Sequence, residues 1–264
     1  MNSVWAPCSD KTVLITGSAL GLGLELARVF AKAGNRIFLT DIRPEVTDVA
    51  AALADEISQP VGAVSLDLSQ EGAADELFEH AKRYLGSIDI LINNAVIRKI
   101  SPVQSLADSD WDRALEVNLS APFRLIRACL PDMQARGWGR IINMASVYSL
   151  IALAERADYV TTKHAMIGLT RTLALELAST TITCNAICPG LMATDSARGR
   201  IRLLATEKGL SEEEATRLFL STRQPGGKFI PMDTVTALAL FLSGSASEGI
   251  NGAAIPVDNG WSFA

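Results

Sequence analysis

The chain has 264 residues, 48% of them hydrophobic and 20% charged, which suits one α/β domain of about 250 residues and excludes disordered, collagenous and polyelectrolyte chains. Its 24 Lys+Arg against 29 Asp+Glu give a formal net charge of −5, and the absence of any basic run interleaved with aromatics argues against a nucleic-acid partner. The longest uncharged stretches, Ile141 to Ala154 and Thr234 to Ser247, fall short of the roughly 18 apolar residues of a bilayer span, and MNSVWAPCSD has no basic-then-apolar leader, so a cytoplasmic protein with no membrane partner is expected.

Thr12 to Thr16 (TVLIT) is a β-branched apolar run that stops at glycine, after which Leu22, Leu26, Val29, Phe30 and Ala33 recur at helical spacing. This reads as strand, glycine-rich turn and helix. Gly34-Asn35 supplies a left-handed stop, and Arg36 to Thr40 (RIFLT) is the next strand, closing a βαβ unit within about 30 residues. The alternation continues with a helix over Glu45 to Ile57, a strand at Gly62 to Leu66 and an amphipathic helix over Gly72 to Tyr84. Then come a strand at Ile88 to Ile92, a long helix from Asp110 to Met133, a strand at Arg140 to Met144 and a helix from Tyr159 to Leu177. Apolar strands between helices imply a parallel sheet buried on both faces, so the expected fold class is α/β, a Rossmann-type doubly wound sheet.

Ser196 to Lys228 is richer in charge and holds two short helical patterns, the second opened by a Ser211/Glu214 capping box. This inserted pair reads as a flap over a site. A helix over Asp233 to Ser243 and a strand at Ala253 to Val257 follow. With no repeat, linker or low-complexity tract, residues 1–264 read as one domain containing the flap at 196–228. The four cysteines and two histidines have neither disulfide-framework nor metal-ligand spacing, so no metal is expected.

The first turn runs Thr16-Gly17-Ser18-Ala19-Leu20-Gly21-Leu22-Gly23. Glycine permits a tight turn and close backbone approach, and the helix N-terminus offers free N–H groups to a pyrophosphate. Its spacing differs from the G-x-G-x-x-G fingerprint, and glycine turns also serve packing, so the turn alone does not fix dinucleotide binding. Asp41 ends the second strand, 18 residues after Gly23, where a carboxylate can accept from the adenosine ribose hydroxyls and repel a 2′-phosphate. It favours NAD over NADP, with Arg43 close by; a loop Asp there can also cap the next helix. Asp67 ends the third strand and could accept from the adenine amino group or cap a turn. Asn93-Asn94-Ala95 follows an apolar strand at the edge where open α/β sheets bind ligands. The candidate cofactor contacts are Gly17, Ser18, Leu20, Gly21, Leu22, Gly23, Asp41 with Ile42, Asp67 with Leu68, and Asn94 with Ala95.

Tyr159 and Lys163 are four residues apart, on one helix face, with Ser146 lying 13 residues before the tyrosine after an apolar strand. A tyrosine has a pKa near 10, so a phenol acting on an alcohol near neutral pH needs a positive charge beside it. Lowering it by ~3 units takes about 4 kcal/mol, and Lys163 is placed to contribute.

At this point the chain resembles the classical short-chain dehydrogenase/reductase family over nearly its whole length. The likeness is carried by TGSALGLG at Thr16 to Gly23, Asp67, NNA at Asn93 to Ala95, Asn118 within VNLS, Ser146, YVTTK at Tyr159 to Lys163 and CPGLMAT at Cys188 to Thr194. Val96 departs from the glycine usual after NNA. The resemblance implies Tyr159 as catalytic acid/base, Lys163 lowering its pKa while binding the nicotinamide ribose (both thus also cofactor contacts), Ser146 orienting the reacting oxygen, and Asn118 bending its helix and holding a relay water. It also implies that Pro189, Gly190 and Thr194 hold the nicotinamide side of the cofactor and that the protein is a homotetramer.

The second half is similar to bacterial D-3-hydroxybutyrate dehydrogenases in NLSAPF, GRIINMAS, TKHAMIG, NAICPG, RQPGGKFI and VDNGW, which ends at Trp261. Its substrate-contact positions diverge: Arg98, Tyr148, Arg156 and Leu191 stand where those enzymes have Gln, His, Lys and Trp, and their flap Gln falls near Arg200. With Trp261 these are the candidate substrate residues, and converging arginines would suit a carboxylate. The expected function is an NAD-dependent oxidoreductase interconverting a secondary alcohol and a ketone, on a small hydroxy acid. A polyol or sugar, a 3-oxoacyl thioester, or a non-catalytic nucleotide-binding regulator are the alternatives.

Overall fold

All seven strands of the sheet run parallel, in the order β3-β2-β1-β4-β5-β6-β7. The computed structural model describes residues 8–221 and 223–263. In chain order, β1 (Thr12–Thr16), α1 (Gly21–Lys32), β2 (Arg36–Asp41), α2 (Val46–Ile57), β3 (Gly62–Ser65), α3 (Ala73–Leu85) and β4 (Ile90–Asn93) build the first half. The second half comprises α4 (Asp108–Leu115), α5 (Ala121–Arg136), β5 (Gly139–Met144), α6 (Ala157–Glu176), β6 (Ile182–Pro189), α7 (Asp195–Lys208), α8 (Glu212–Ser221), α9 (Met232–Leu242) and β7 (Ala254–Val257). This is the expected Rossmann-type sheet.

Strand periodicity divides the core. Val13, Ile15, Ile37, Leu39, Ile90 and Ile92 point to the layer formed by α1, α2 and α9, and the intervening Leu14, Phe38 and Leu91 point to α3, α5 and α6. Alternate residues of a strand face opposite sides, so uninterrupted apolar runs fill both layers. Helices α7 and α8 carry a small core of their own, Ile201, Ala215 and Phe219, separate from the two that flank the sheet. Among the described residues, no helix is long and apolar enough to cross a membrane.

One expected element is corrected. The single helix from Asp110 to Met133 is two helices, α4 and α5, joined by a wider π-type turn at Glu116–Ser120. Such turns accommodate an extra residue and cluster at functional sites. At its centre Asn118 is buried. Its amide oxygen accepts from the Ile97 N–H at 2.9 Å, and its amide nitrogen donates to the Ile97 carbonyl at 2.9 Å and the Thr162 hydroxyl at 3.1 Å. These bonds tie the π turn to the loop at Ile97 and to α6 at Thr162.

Candidate active site

The strand order reverses between β1 and β4, and there, at the carboxyl ends of the strands, the sheet opens into a cavity of ≈ 750 Å³. The first N–H groups of α1 have no side-chain cap and no acid lies in its first turn, while Gly21, Leu22 and Gly23 line the cavity. The positive end of the helix and its free donors are therefore turned to the space, an arrangement that favours an anion. The turn before it is tightly packed. A Cβ on Gly17 would come 2.7 Å from the Ala95 Cα, and one on Gly23 would overlap the Gly17 carbonyl oxygen. Asn94 fastens this turn to β4 by donating to the carbonyls of Thr16 (3.0 Å) and Gly17 (2.8 Å). At Gly21, with φ 57°, a Cβ would meet nothing within 4 Å, so the missing side chain there leaves open room. Donors, bare backbone and space together fit the pyrophosphate of a dinucleotide.

Farther along the same wall, Asp41 accepts from the Ala19 N–H through Oδ2 and the Arg43 N–H through Oδ1, each at 3.0 Å. Asp67 accepts from the Ser69 N–H (3.0 Å) and hydroxyl (2.7 Å) and pairs with Arg113 at 3.3 Å. Burial works to raise the Asp67 carboxyl, but these donors and the Arg113 charge outweigh it and hold the group below its ordinary value.

The opposite end holds the catalytic candidates. Tyr159 and Lys163 lie one turn apart on α6, both buried, with Nζ 5.6 Å from the tyrosine ring centre. Burial pushes the Lys163 ammonium down to about 8, while Nζ donates to the Met144 carbonyl at 2.6 Å. Ser146 sits just past β5 and caps the short turn Val147–Ser149: its hydroxyl accepts from the Tyr148 N–H, and its own N–H donates to the Ser149 hydroxyl, both at 3.2 Å. That reciprocal pair fixes the backbone that carries Ser146 at the cavity wall. Tyr148 packs edge-on against Tyr159 at 6.1 Å and Trp261 at 5.4 Å. Trp261 is positioned by Asp258, which accepts from the N–H groups of Gly260 (2.9 Å) and Ser262 (2.8 Å).

Four arginines enter this end from separate segments. Arg98, in the loop after β4, lies 5.8 Å over the Tyr159 ring and donates to the Ser196 hydroxyl at 2.8 Å. Arg156 precedes α6 and is 4% exposed. Arg200 of α7 and Arg223, beyond α8, both stack on Phe219, at 5.2 and 4.5 Å. Burial lowers the pKa of Arg156, and the Arg98 charge adds to this; burial and the Arg156 charge do the same to Arg200. Burial raises the Tyr148 phenol against the opposing pull of Arg223, Arg156 and Arg200, so Tyr148 stays a neutral donor.

The expected cofactor and substrate residues line this one cavity with a single exception, Ser18. Its hydroxyl bridges the Ile15 and Thr40 carbonyls, both at 3.1 Å, and its N–H also donates to Thr40. Ser18 thus holds the turn to β2 and faces the interior. Of the catalytic set, Ser146, Tyr159 and Lys163 line the cavity and Asn118 lies behind the wall. Arg223 was not among the expected residues. It lies past the end of α8, outside the helical repeat, so no periodic signal in the sequence marks it.

The family model described as short chain dehydrogenase matches residues 11–202. The chain is 37% identical over 258 residues to the D-beta-hydroxybutyrate dehydrogenase of Cupriavidus necator, covering 96% of this chain and 98% of that protein. It is 38% identical over 257 residues to the enzyme of the same name from Rhizobium meliloti, covering 95% and 98%. Among solved structures, L-sorbose reductase from Gluconobacter frateurii, complexed with NADPH and L-sorbose, superposes with a TM-score of 0.93 at 29% identity, covering 98% of this chain and 99% of that one. The family's region of match takes in the glycine turn and the Ser146, Tyr159 and Lys163 set, and on these grounds the chain belongs to the short chain dehydrogenase family, as an NAD(P)-dependent oxidoreductase acting on CH–OH groups.

Proposed function

We propose that the protein is an NAD-dependent dehydrogenase of a small hydroxy acid, interconverting its secondary alcohol and ketone. The observation that carries this reading is the group of guanidinium side chains gathered around Tyr148 and Tyr159. Burying cations costs free energy that an anionic substrate offsets. Relatives named D-beta-hydroxybutyrate dehydrogenase support the acid. The Asp41 carboxylate at the ribose end supports NAD, since it would repel a 2′-phosphate.

The bound nicotinamide supplies the hydride acceptor or donor. Tyr159 takes the hydroxyl proton in oxidation and returns it in reduction, with the Lys163 ammonium one turn along the same helix beside its ring. The Ser146 hydroxyl orients the reacting oxygen. Asn118 acts through position, tying the loop at Ile97 to α6 at Thr162. Residues 195–221, with their own core, cover the substrate end as a flap of the same domain. In the homotetramer that the family resemblance implies, Phe123 on α5 and Leu175 on α6, exposed in the single chain, would be covered; elution at the mass of four chains tests this.

The test is an NAD(H)-linked assay over hydroxy acids and neutral polyols, with Tyr159→Phe as the control. Tyr159→Phe should lose turnover and keep NADH binding. The neutral double variant Arg98→Gln/Arg156→Gln should raise KM for a hydroxy acid far more than for a polyol. The likeness to L-sorbose reductase makes a sugar the rival; equal effects on acid and polyol would favour it.

A further inference from the structure

Resting on the reading of Tyr159 as the acid/base and Arg98 as a substrate contact, we infer that Asp158 is a positioning residue for the reaction. Its carboxylate fastens the loop after β4 to the start of α6 and so fixes Arg98 over the Tyr159 ring. The side chain is buried, 1% exposed, and Oδ2 accepts from the Lys99 N–H at 2.7 Å. Lys99 is the residue after Arg98, and Asp158 is the residue before Tyr159. This hydrogen bond therefore joins the immediate neighbours of the two residues whose guanidinium and ring lie 5.8 Å apart.

The loop is also held on the other side of Arg98. Asn118 bonds both backbone groups of Ile97 and donates to the Thr162 hydroxyl, which donates in turn to the carbonyls of Asp158 (2.9 Å) and Tyr159 (3.1 Å). Two ties, at Ile97 and at Lys99, thus run from the residues flanking Arg98 to the first turn of α6. Farther along, the Ser101 N–H donates to the Glu155 carbonyl at 3.1 Å. The Arg98 side chain is exposed, with the Ser196 hydroxyl as a partner, so the backbone that carries it decides whether the guanidinium reaches the ring.

A purely structural role does not account for an acid at this position. An Asp in the first turn of a helix gains from the free N–H groups there without being buried, whereas taking a carboxylate out of water costs free energy unless it is well bonded. Oδ1 of Asp158 has no hydrogen-bond partner among the described residues. The helix N-terminus and the Arg156 charge, which the carboxylate feels two residues away, offset that cost only in part. The Lys99 ammonium is not the partner either, since Nζ pairs with Asp110 at 3.5 Å. What the carboxylate holds is the backbone of the Arg98 loop.

The test is a double-variant cycle on the whole protein, reading kcat/KM for 3-hydroxybutyrate or, if that is not turned over, for butane-2,3-diol. We expect Asp158→Ala to lower kcat/KM about 10- to 100-fold, the effect of displacing a group at the reacting centre, while NADH affinity changes by less than about twofold. Asp158→Asn keeps an acceptor oxygen for the Lys99 N–H and should recover activity to within about threefold of the wild type. On an Arg98→Gln background, Asp158→Ala should add less than about twofold, because both substitutions remove the same arrangement. Additive losses, or an Asp158→Asn as poor as Asp158→Ala, overturn the inference. Hydrogen exchange at the Lys99 amide of the unsubstituted protein decides it without any variant having to fold. We expect exchange about 100-fold slower than in an unstructured chain, and exchange at the unstructured rate overturns the tie. Turnover retained in Tyr159→Phe would instead remove the acid/base reading, a result that neither the cycle nor the exchange rate can produce.

Discussion

Lys163 places its ammonium 2.6 Å from the carbonyl oxygen of Met144, the last residue of β5, and in doing so buries a charge under the floor of the active-site cavity. Burial, reinforced by the nearby Arg98 charge, pushes its pKa down to about 8 from an ordinary 10.5. Between these values the unfolded chain binds a proton that the folded chain does not, so this residue's contribution to stability rises with pH across that window and is unfavourable at pH 7. Lys163→Met should therefore abolish turnover yet stabilise the fold at pH 7 by roughly 1–2 kcal/mol, after the unpaired Met144 carbonyl is discounted, which corresponds to about 2–8 °C in Tm. The gain should shrink as pH is raised from 8 to 10.5. A variant less stable than the wild type at pH 7, or a gain independent of pH, would show that the lysine is not penalised by burial.

The glycines of the first turn should separate folding from binding. A Cβ on Gly23 would strike the Gly17 carbonyl and lie 2.7 Å from the Asn94 amide nitrogen, so Gly23→Ala must open the turn and break its tie to β4. We expect a loss of about 1–3 kcal/mol in stability together with at least tenfold weaker NADH binding. At Gly21 the added methyl points into open space, and the cost is that of a left-handed residue, about 1 kcal/mol. Gly21→Ala should keep most of its thermal stability while NADH affinity falls. Thermal melts and NADH fluorescence titrations on the two variants decide this; identical losses in both would contradict the distinction.

The parallel sheet was legible because Val13, Leu14 and Ile15, and likewise Ile90, Leu91 and Ile92, are apolar at every position, a pattern that a strand covered on both faces requires. The Ser146, Tyr159 and Lys163 set was legible because strand end and helical spacing bring those residues to one wall. The break at Glu116–Ser120 was not, since a one-residue widening leaves apolar periodicity nearly intact and is held by the distant Ile97 and Thr162. Ser18 was misplaced for a similar reason: its hydroxyl's partners, on Ile15 and Thr40, are set by tertiary packing, and turn chemistry alone does not reveal them. Convergence of Arg223 with Arg98, Arg156 and Arg200 depends on how α7 and α8 pack on each other, a relation with no local signature.

Asp41 tests cofactor choice, and the test must separate its charge from its scaffolding. Both carboxylate oxygens accept backbone N–H groups, from Ala19 in the glycine turn and from Arg43 just beyond β2. Truncation to alanine would therefore loosen the turn as well as remove the charge, and a weaker NADH affinity would be ambiguous. Asp41→Asn keeps an acceptor oxygen for the Ala19 N–H while removing the negative charge. With Arg43 adjacent to a 2′-phosphate and no anion left to oppose it, NADPH affinity should rise about 10-fold, the equivalent of roughly 1.4 kcal/mol. NADH affinity should change by no more than about threefold, since its ribose hydroxyls can still bond to the amide. Isothermal titration with both cofactors reads the ratio directly. An unchanged ratio, with the variant melting as the wild type does, would mean that Asp41 shapes the turn and does not select the cofactor.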